Sequence, residues 1–361
     1  MNCKGMVLLS LTLAVGPPIP LSAQQNHVIV VSGLGGTQEY RDRFHEWSIR
    51  LVDAAIDRHG IPANQVVFLA EQPDRDPDRI RARSTWENIQ TAIAEVAERA
   101  ALDDLVLIVL IGHGSFSGSK SQFNLPGPDP TIGDFSVALN ELRDQQVVFV
   151  NTATASGEFI AGLSGPKRTI ITATKTARER NETKFGEFFV EAFAGRVVPE
   201  FKTPAATNSA SGIVIEDVAD ANKDGRVSLL EAFDYARRQV ARVYEEGGLL
   251  LTEHAMLDDN GDGYGSDEPD PVTAGADGRI AQALFFTPGG GLATAELETD
   301  DPTLIGFYAE RKAIEKRVLA HRTLRDGIDS AIYEQELERL LIDLALKNRE
   351  IRKAEDGVPR Q

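Results

Sequence analysis

The sequence predicts an α/β protein with a mainly parallel sheet, and two features of the chain indicate it. Residues 105–111 and 147–150 form unbroken apolar runs rich in Val and Ile, and each run stops at a cluster of small and polar residues. Runs of this kind are typical of strands buried on both faces. These and three further predicted strands alternate with predicted helices, which is the pattern of βαβ units. A chain of 361 residues is long enough to bury a large core.

The elements of this α/β region follow in order. Strands are predicted at 27–32, 66–69, 105–111, 147–150 and 169–173, and helices at 39–59, 84–101, 132–143, 157–163 and 185–194. Ser84 and Glu87 have the spacing of a capping box at the start of the second helix. Residues 115–130 are rich in Gly, Ser and Pro and are predicted to form a long loop. Loops of this length beside a site are often functional, and disorder is the alternative.

Candidate catalytic residues follow the two apolar runs. His113 comes directly after the first run, between two glycines, and Thr154 and Ser156 follow the second. Because parallel strands present their carboxyl ends at one edge of the sheet, these residues are expected to lie near one another. Thr154 precedes a predicted helix, whose N-terminal N–H groups can hold an oxyanion. The alternative for His113 is a buried structural histidine.

Composition limits the class of protein. The formal net charge is −17, which argues against a nucleic-acid partner because such proteins need a basic surface. Residues 1–23 have the pattern of a signal peptide, with Lys4, an apolar core at 6–15 and a small residue at Ala23. That core is too short to span a membrane, and no later segment is better suited. The expected location is secreted or periplasmic. The only cysteine, Cys3, would leave with the signal peptide, so the mature chain is expected to lack a thiol nucleophile.

A calcium loop is predicted after residue 219. Its ligand positions are filled by oxygen donors, and Gly225 permits the sharp turn that such loops need. The predicted ligands are Asp220, Asn222, Asp224, the carbonyl of Arg226, Ser228 through a water, and Glu231 with both oxygens. The alternative is an Asx-rich turn before the helix predicted at 229–246. Because the incoming segment is short, we expect an EF-hand-like loop within a subdomain at 213–270, with Ca²⁺ as its cofactor.

A second acidic loop starts the same pattern but does not finish it. Asp258, Asn260, Asp262 and Tyr264 occupy ligand positions, whereas Pro269 stands where the bidentate glutamate belongs. Asp267, Glu268 or Asp270 could substitute for it. A second calcium site and a solvated turn are both compatible with this segment.

The remaining chain divides into two parts. Residues 271–302 are rich in Gly and Pro around the apolar patch 280–286, which suggests a linker with an extra strand or a short helix. Residues 303–355 predict a helical hairpin broken near Asp326-Gly327, with a seven-residue apolar repeat typical of a coiled coil. This hairpin could pack on its own domain or form a homodimer.

Region 27–198 resembles the legumain family of cysteine peptidases, which are relatives of the caspases. The similarity covers roughly half of the chain and depends on short motifs that keep their order. The similar segments are 27–36 with Tyr40-Arg41, 60–62 with 65–67, 111–115, 124–126, 148–157, and 173–174 with Arg178-Glu179.

The resemblance implies a caspase–hemoglobinase-like fold and a role for each matching residue. His113 falls on the general base, Thr154 on the nucleophilic cysteine, and Arg41 on an arginine of the specificity pocket. It also implies that the backbone N–H groups of Gly114 and Thr154 serve as oxyanion donors, and that Ser156 is the alternative nucleophile. The asparagine that orients the family's histidine has no counterpart, because Gly35 is nearest to its position.

The replacement of cysteine by threonine weakens the predicted chemistry. A cysteine thiol has a pKa of about 8.5, and a threonine hydroxyl needs a strong, well-oriented base to become a nucleophile. Three functions are therefore expected, with the first favoured: a pseudopeptidase that binds a peptide or protein ligand, an active hydrolase that uses Thr154 or Ser156, and a calcium-dependent interaction module in the C-terminal half.

Overall fold

The computed structural model describes residues 24–102, 104–118, 120–199, 213–224, 226–286, 301–322 and 329–357. The predicted signal peptide, the predicted Gly225 turn and the small-residue segment 202–212 lie outside the described residues. No helix of the described part is long and apolar enough to cross a membrane.

The α/β prediction is confirmed at the level of a mostly parallel seven-stranded sheet flanked by helices. The eleven strands of the described chain are β1 (Asn26–Ser32), β2 (Val66–Ala70), β3 (Ala82–Arg83), β4 (Leu105–Ile111), β5 (Gly114–Ser117), β6 (Lys120–Phe123), β7 (Gln146–Asn151), β8 (Arg168–Thr172), β9 (Arg196–Pro199), β10 (Ile213–Glu216) and β11 (Met256–Asp258). The main sheet has the order β11-β8-β7-β4-β1-β2-β3, and β11 alone pairs antiparallel in it. β5 pairs with β6, and β9 with β10, in two small antiparallel sheets.

Nine α-helices occur in the described residues. They are α1 (Gln38–Asp53), α2 (Trp86–Arg99), α3 (Ile132–Leu139), α4 (Phe159–Leu163), α5 (Phe185–Ala194), α6 (Leu229–Glu246), α7 (Arg279–Ala283), α8 (Pro302–Arg322) and α9 (Ser330–Gly357). A turn of π-helix at 54–58 extends α1, and a turn of 3-10 helix at 140–142 extends α3.

The apolar strands give the sheet two buried faces, as the sequence predicts. Alternate residues of β4 belong to two separate hydrophobic clusters, because side chains of a strand point to opposite faces. One cluster is closed by α1, α5 and α6, and the other by α2, α3 and α4. Every residue of β4 is buried. This double coverage explains why the run 105–111 has no polar residue.

Two local predictions differ from the structure. The N-cap of α2 is Thr85, whose hydroxyl accepts from the N–H of Asn88, so the predicted capping box of Ser84 and Glu87 is wrong. The N–H of Ser84 instead donates to the carbonyl of Ala70 at 2.9 Å and continues the sheet edge. The predicted loop 115–130 contains the β5–β6 hairpin.

The C-terminal helices α8 and α9 pack against each other in antiparallel directions. Leu304 and Ile351 meet at one end, and His321 stacks on Tyr333 at the other with ring centroids 4.9 Å apart. On α9, an apolar groove of about 370 Å³ lies around Leu341 and the exposed Ile342. This groove is the described surface on which the predicted homodimer would depend.

Candidate functional site

The candidate site lies where the order of strands changes direction. The chain passes from β1 to β2 and β3 on one side of the sheet and then to β4 on the other side. Ligands of open α/β sheets bind outside the carboxyl ends of strands at such a point. Three loops meet there. The N–H of Gly33 donates to the carbonyl of Ile111 at 2.9 Å. The N–H of Asn124 donates to the carbonyl of His113, and the carbonyl of Asn124 accepts from the N–H of Leu34, both also at 2.9 Å.

The His113 ring is held by aromatic neighbours. Its centroid lies 4.4 Å from that of Tyr40 and 5.0 Å from that of Phe44, both edge to face. Burial lowers the pKa of His113, although the charge of Glu182 and a hydrogen bond to the backbone of Gly35 act to raise it. The imidazole is therefore neutral at pH 7, which is the form that a general base requires.

The backbone of Gly35 is a hydrogen-bond partner of the His113 ring. A Cβ at position 35 would lie 2.7 Å from the backbone N of Arg41, so an asparagine does not fit without a backbone shift. This close approach restricts position 35 to glycine, and the contact with His113 comes from its backbone.

Glu182 is a charged neighbour of this histidine that the sequence analysis missed. Its carboxylate accepts from the Tyr40 hydroxyl at 3.1 Å and forms ion pairs with Arg43 and Lys184. Although burial acts to raise the pKa of Glu182, Lys184, Tyr40 and Arg43 hold it below its usual value. A single glutamate 69 positions after His113 in the chain carries no motif that could have revealed it.

The fold brings Thr154 to the loop that carries His113, as expected for two adjacent strand ends. Its hydroxyl donates to the carbonyl of Gly114 at 2.9 Å and accepts from the N–H of the same residue at 3.2 Å. Thr154 is only 8 % exposed. The hydroxyl proton therefore points to a backbone carbonyl, and the N–H of Gly114, predicted to be an oxyanion donor, already has an acceptor.

Ser156 is placed as a structural residue. It is 1 % exposed, and its Oγ lies 3.1 Å from the hydroxyl of Thr174, whose N–H also donates to it at 3.2 Å. The Thr174 hydroxyl in turn accepts from the N–H groups of Ser156 and Gly157. These bonds fasten the loop after β7 to the end of β8, which leaves Ser156 poorly placed to attack a substrate.

Arg41 lies on the β2 side of the site. Its guanidinium donates to the carbonyl of Gly36 at 3.1 Å and lies 4.0 Å from the carboxylate of Glu71. With His45 and Arg75 it lines a small cavity beside the carboxyl ends of β1 and β2. A ligand reaching this cavity would meet both signs of charge.

The predicted calcium loop is a tight coil closed by its last carboxylate. Glu231 Oε1 accepts from the N–H groups of Ala221 and Asn222 at 3.1 and 3.2 Å. Within the coil, Asp224 N donates to Asn222 Oδ1, and Arg226 N donates to Asp224 Oδ1, both at 2.8 Å. Asp220 accepts a hydrogen bond from the N–H of Asp224. Ser228 is the N-cap of α6, and its hydroxyl accepts from the N–H of Glu231.

The second acidic loop repeats most of these bonds. Asp262 N donates to Asn260 Oδ1, and Tyr264 N to Asp262 Oδ1, both at 2.8 Å. The carboxylate that closes this coil belongs to Asp277, which accepts from the N–H groups of Asp259 and Asn260 at 3.1 and 3.4 Å. Asp277 thus occupies the place that Glu231 has in the first loop.

The residues considered as substitutes for the missing glutamate lie elsewhere. Glu268 is exposed, and Asp270, which is half-buried, accepts from the hydroxyl of Thr273 at 2.6 Å. Asp267 lies 3.9 Å from the ammonium group of Lys175. Sequence reasoning missed Asp277 because it lies 19 positions after Asp258, within the segment predicted to be a linker.

The surroundings of the two closing carboxylates, Glu231 and Asp277, disfavour their ionised forms. Burial raises the pKa of Glu231 to about 7, with contributions from Asp224 and Asp220. Burial also raises the pKa of Asp277 to about 6, and Asp258 and Asp259 add to it. Among the described residues, no three His, Cys, Asp or Glu side chains form a compact metal-binding group. The oxygen donors of each coil are instead spread over carboxylates, an asparagine amide and backbone carbonyls, which is the ligand chemistry that Ca²⁺ prefers.

Glu253 gives the fold a predicted pH dependence. It is 3 % exposed, and burial raises its pKa to about 7 although the N–H groups of Lys184 and Phe185 donate to it. The folded state therefore holds a proton that the unfolded state releases above its ordinary pKa of 4.5. Stability should fall as pH rises from 4.5 to 7, by about 3 kcal/mol from this group.

Urea unfolding of wild-type protein and Glu253→Gln at pH 5 and pH 8, both in a calcium chelator, checks this expectation. The drop in unfolding free energy between the two pH values should be smaller in Glu253→Gln by most of that amount, because glutamine has no proton to lose. Parallel pH profiles in the two proteins would show that Glu253 titrates normally.

No protein-family model and no curated protein matches the chain. Among solved structures, the chain is similar to protein GSU0716 from Geobacter sulfurreducens, with a TM-score of 0.40 and 10 % identity. That similarity covers 69 % of this chain and 96 % of the Geobacter chain. A likeness of this degree indicates neither a family nor a function.

Proposed function

We propose that this protein is a legumain-like pseudopeptidase of the caspase–hemoglobinase type, which binds a peptide or protein ligand at the His113 site without cleaving it. The observation that carries the proposal is the double hydrogen bond between the Thr154 hydroxyl and the backbone of Gly114. The hydroxyl at the nucleophile's position therefore donates its proton in a hydrogen bond to a carbonyl oxygen instead of to an imidazole.

The chemistry of the site supports binding over hydrolysis. The lowered pKa of His113 favours its neutral form, which is the form that a general base of a peptidase requires. A threonine hydroxyl needs that base within hydrogen-bond reach to become a nucleophile. The N–H of Gly114, which would stabilise an oxyanion, is engaged by Thr154 itself. Ser156 is bonded to Thr174 and buried, which also argues against the alternative hydrolase.

Calcium binding is the second part of the proposal. Two coils of the same hydrogen-bond pattern, closed by Glu231 and Asp277, support an EF-hand-like role for both loops. The ion would bind oxygens of the side chains already predicted and would offset the charge of the closing carboxylates. With Ca²⁺ bound, these carboxylates would remain ionised at neutral pH despite their burial.

Two further parts of the proposal concern location and assembly. The N-terminal pattern at 1–23 supports export to the periplasm or the medium. The apolar groove near Leu341 and Ile342 favours α9 as the contact surface of a homodimer.

The pseudopeptidase proposal is tested by restoring the thiol. Purified wild-type protein, incubated with calcium and a mixed peptide library, should give no cleavage by mass spectrometry. Thr154→Cys should cleave, because a thiol beside an imidazole ionises at far lower pH than a hydroxyl. The double variant Thr154→Cys with His113→Ala should lose most of this activity, by about 100-fold or more.

Matched variants separate the alternatives. Thr154→Ser keeps a hydroxyl without the methyl group and should stay silent, as should Ser156→Cys, since position 156 is buried against Thr174. Cleavage by the wild-type protein that vanishes in His113→Ala would replace the proposal with an active hydrolase. Absence of cleavage by Thr154→Cys would contradict the proposal, because the site would then lack more of a peptidase cleft than the sulfur atom.

A further inference from the structure

A short segment before the second acidic loop is hydrogen-bonded to residues that neighbour the candidate site. We call residues 252–254 the strap and residues 179–185 the site segment. The strap's central residue, Glu253, accepts from the N–H groups of Lys184 and Phe185 at 2.8 to 3.0 Å. Because Phe185 begins α5, this carboxylate also caps that helix at its N-terminus.

The two ends of the strap are bonded to the site segment as well. His254 Nδ1 lies 2.8 Å from Oε1 of Glu179, whose other oxygen accepts from the backbone N–H of His254 at 3.1 Å. Asn181 donates through its amide to the hydroxyl of Thr252 at 2.9 Å. All three residues of the strap are therefore bonded to the site segment.

The site segment is in turn bonded to the loop that carries Thr154. The carbonyl of Glu179 accepts from the N–H of Ala155 at 2.9 Å, and the hydroxyl of Thr183 donates to the carbonyl of Thr152 at 2.7 Å. Ala155 has a φ of 54°, a left-handed conformation that is unfavourable for a residue with a side chain. The bond to Glu179 helps to hold this conformation. Glu182, the charged neighbour of His113, belongs to the same segment.

The strap leads directly into the second acidic loop. A single residue, Ala255, separates His254 from β11, and the last residue of β11 is Asp258. β11 pairs with β8, and Asp258 is fully buried and accepts from the N–H groups of Gly261 and Gly263. Asp258, the first acidic residue of the loop, is therefore connected to the strap through β11, which is held by its pairing with β8.

We infer that calcium binding in the second acidic loop orders the strap and so fixes the site segment beside His113, which makes the candidate cleft calcium-regulated. This inference rests on the proposed calcium function. An ion that binds only the ordered loop stabilises whatever is ordered with it, by mass action. Without the ion, the charges of Asp258 and Asp259 act against ionisation of Asp277, and β11, the strap and the site segment lose that stabilisation.

Hydrogen exchange read by mass spectrometry, with and without calcium, tests the inference on the purified full chain. In the wild type, calcium should slow exchange of the amides of Lys184 and Phe185 by about tenfold, along with those of residues 259–264. In His254→Ala, which removes the imidazole bond to Glu179 and leaves the backbone bond, calcium should still protect residues 259–264 but should protect the site segment less than in the wild type. Thr252→Val, which removes the bond to Asn181, should act in the same direction.

Control measurements distinguish the possible failures. Val272→Ala changes an exposed side chain between the coil and Asp277, leaves the strap intact and should behave as wild type. Calorimetry on each protein reports calcium binding independently. Calcium binding with no protection of the site segment, or with equal protection in wild type and His254→Ala, would overturn the coupling and leave the calcium function standing. Absence of binding heat and of any protection would overturn the calcium function and the coupling together.

Discussion

Asp277→Asn should abolish one of two calcium-binding events, with an affinity loss at the second acidic loop on the order of 100-fold. The reason is the position of its carboxylate, which closes the coil through the N–H groups of Asp259 and Asn260. Asparagine can still accept these bonds through one oxygen, so the coil should fold as before. What it loses is the negative charge and the second oxygen that a bidentate ligand supplies. Titration calorimetry measures both events.

Two matched variants make this result specific. Asp267→Asn removes the same charge from the same loop, but its side chain is directed to Lys175 and both binding events should remain. Glu231→Gln should remove the other event and leave the Asp277 site intact. Loss of a site in Asp267→Asn, or two unchanged sites in Asp277→Asn, would show that the hydrogen-bond pattern does not mark a ligand.

The fold was predictable where a local pattern decides the structure. The β4 strand matches the predicted 105–111, and α5 and α6 match 185–194 and 229–246, because burial on two faces or on one helical stripe leaves a periodic apolar pattern. The β5–β6 hairpin was not predictable in this way. The residues of its two strands and turn are mostly polar, and apolar and polar residues do not alternate along them. The hairpin is therefore determined by tertiary pairing at the end of β4.

The candidate site was likewise predictable only in part. The contact of Thr154 with Gly114, the residue after His113, follows from adjacent parallel strands, whose carboxyl ends share an edge. The contacts of Glu182, Glu253 and Asp277 arise from residues far apart in the chain, and a single sequence has no signal for them. The hydrogen bonds of the Thr154 hydroxyl also depend on its distance from the backbone of Gly114, which no residue pattern specifies.

Gly114→Ala should destabilise the protein by about 3 kcal/mol or more, because a Cβ at that position would lie 2.1 Å from the carbonyl oxygen of Thr154. The obstructing atom belongs to the backbone, so a change of rotamer cannot relieve the clash. Gly165→Ala is the matched control. A Cβ there meets nothing within 4 Å, and its unfolding free energy should change by no more than about 1 kcal/mol. Urea unfolding measures both. The comparison also bears on function, since the close approach of Gly114 to Thr154 is what commits the threonine hydroxyl to the backbone. If Gly114→Ala were as stable as Gly165→Ala, the two loops would not touch as described, and the proposal of an occupied, inactive nucleophile position would lose its geometric basis.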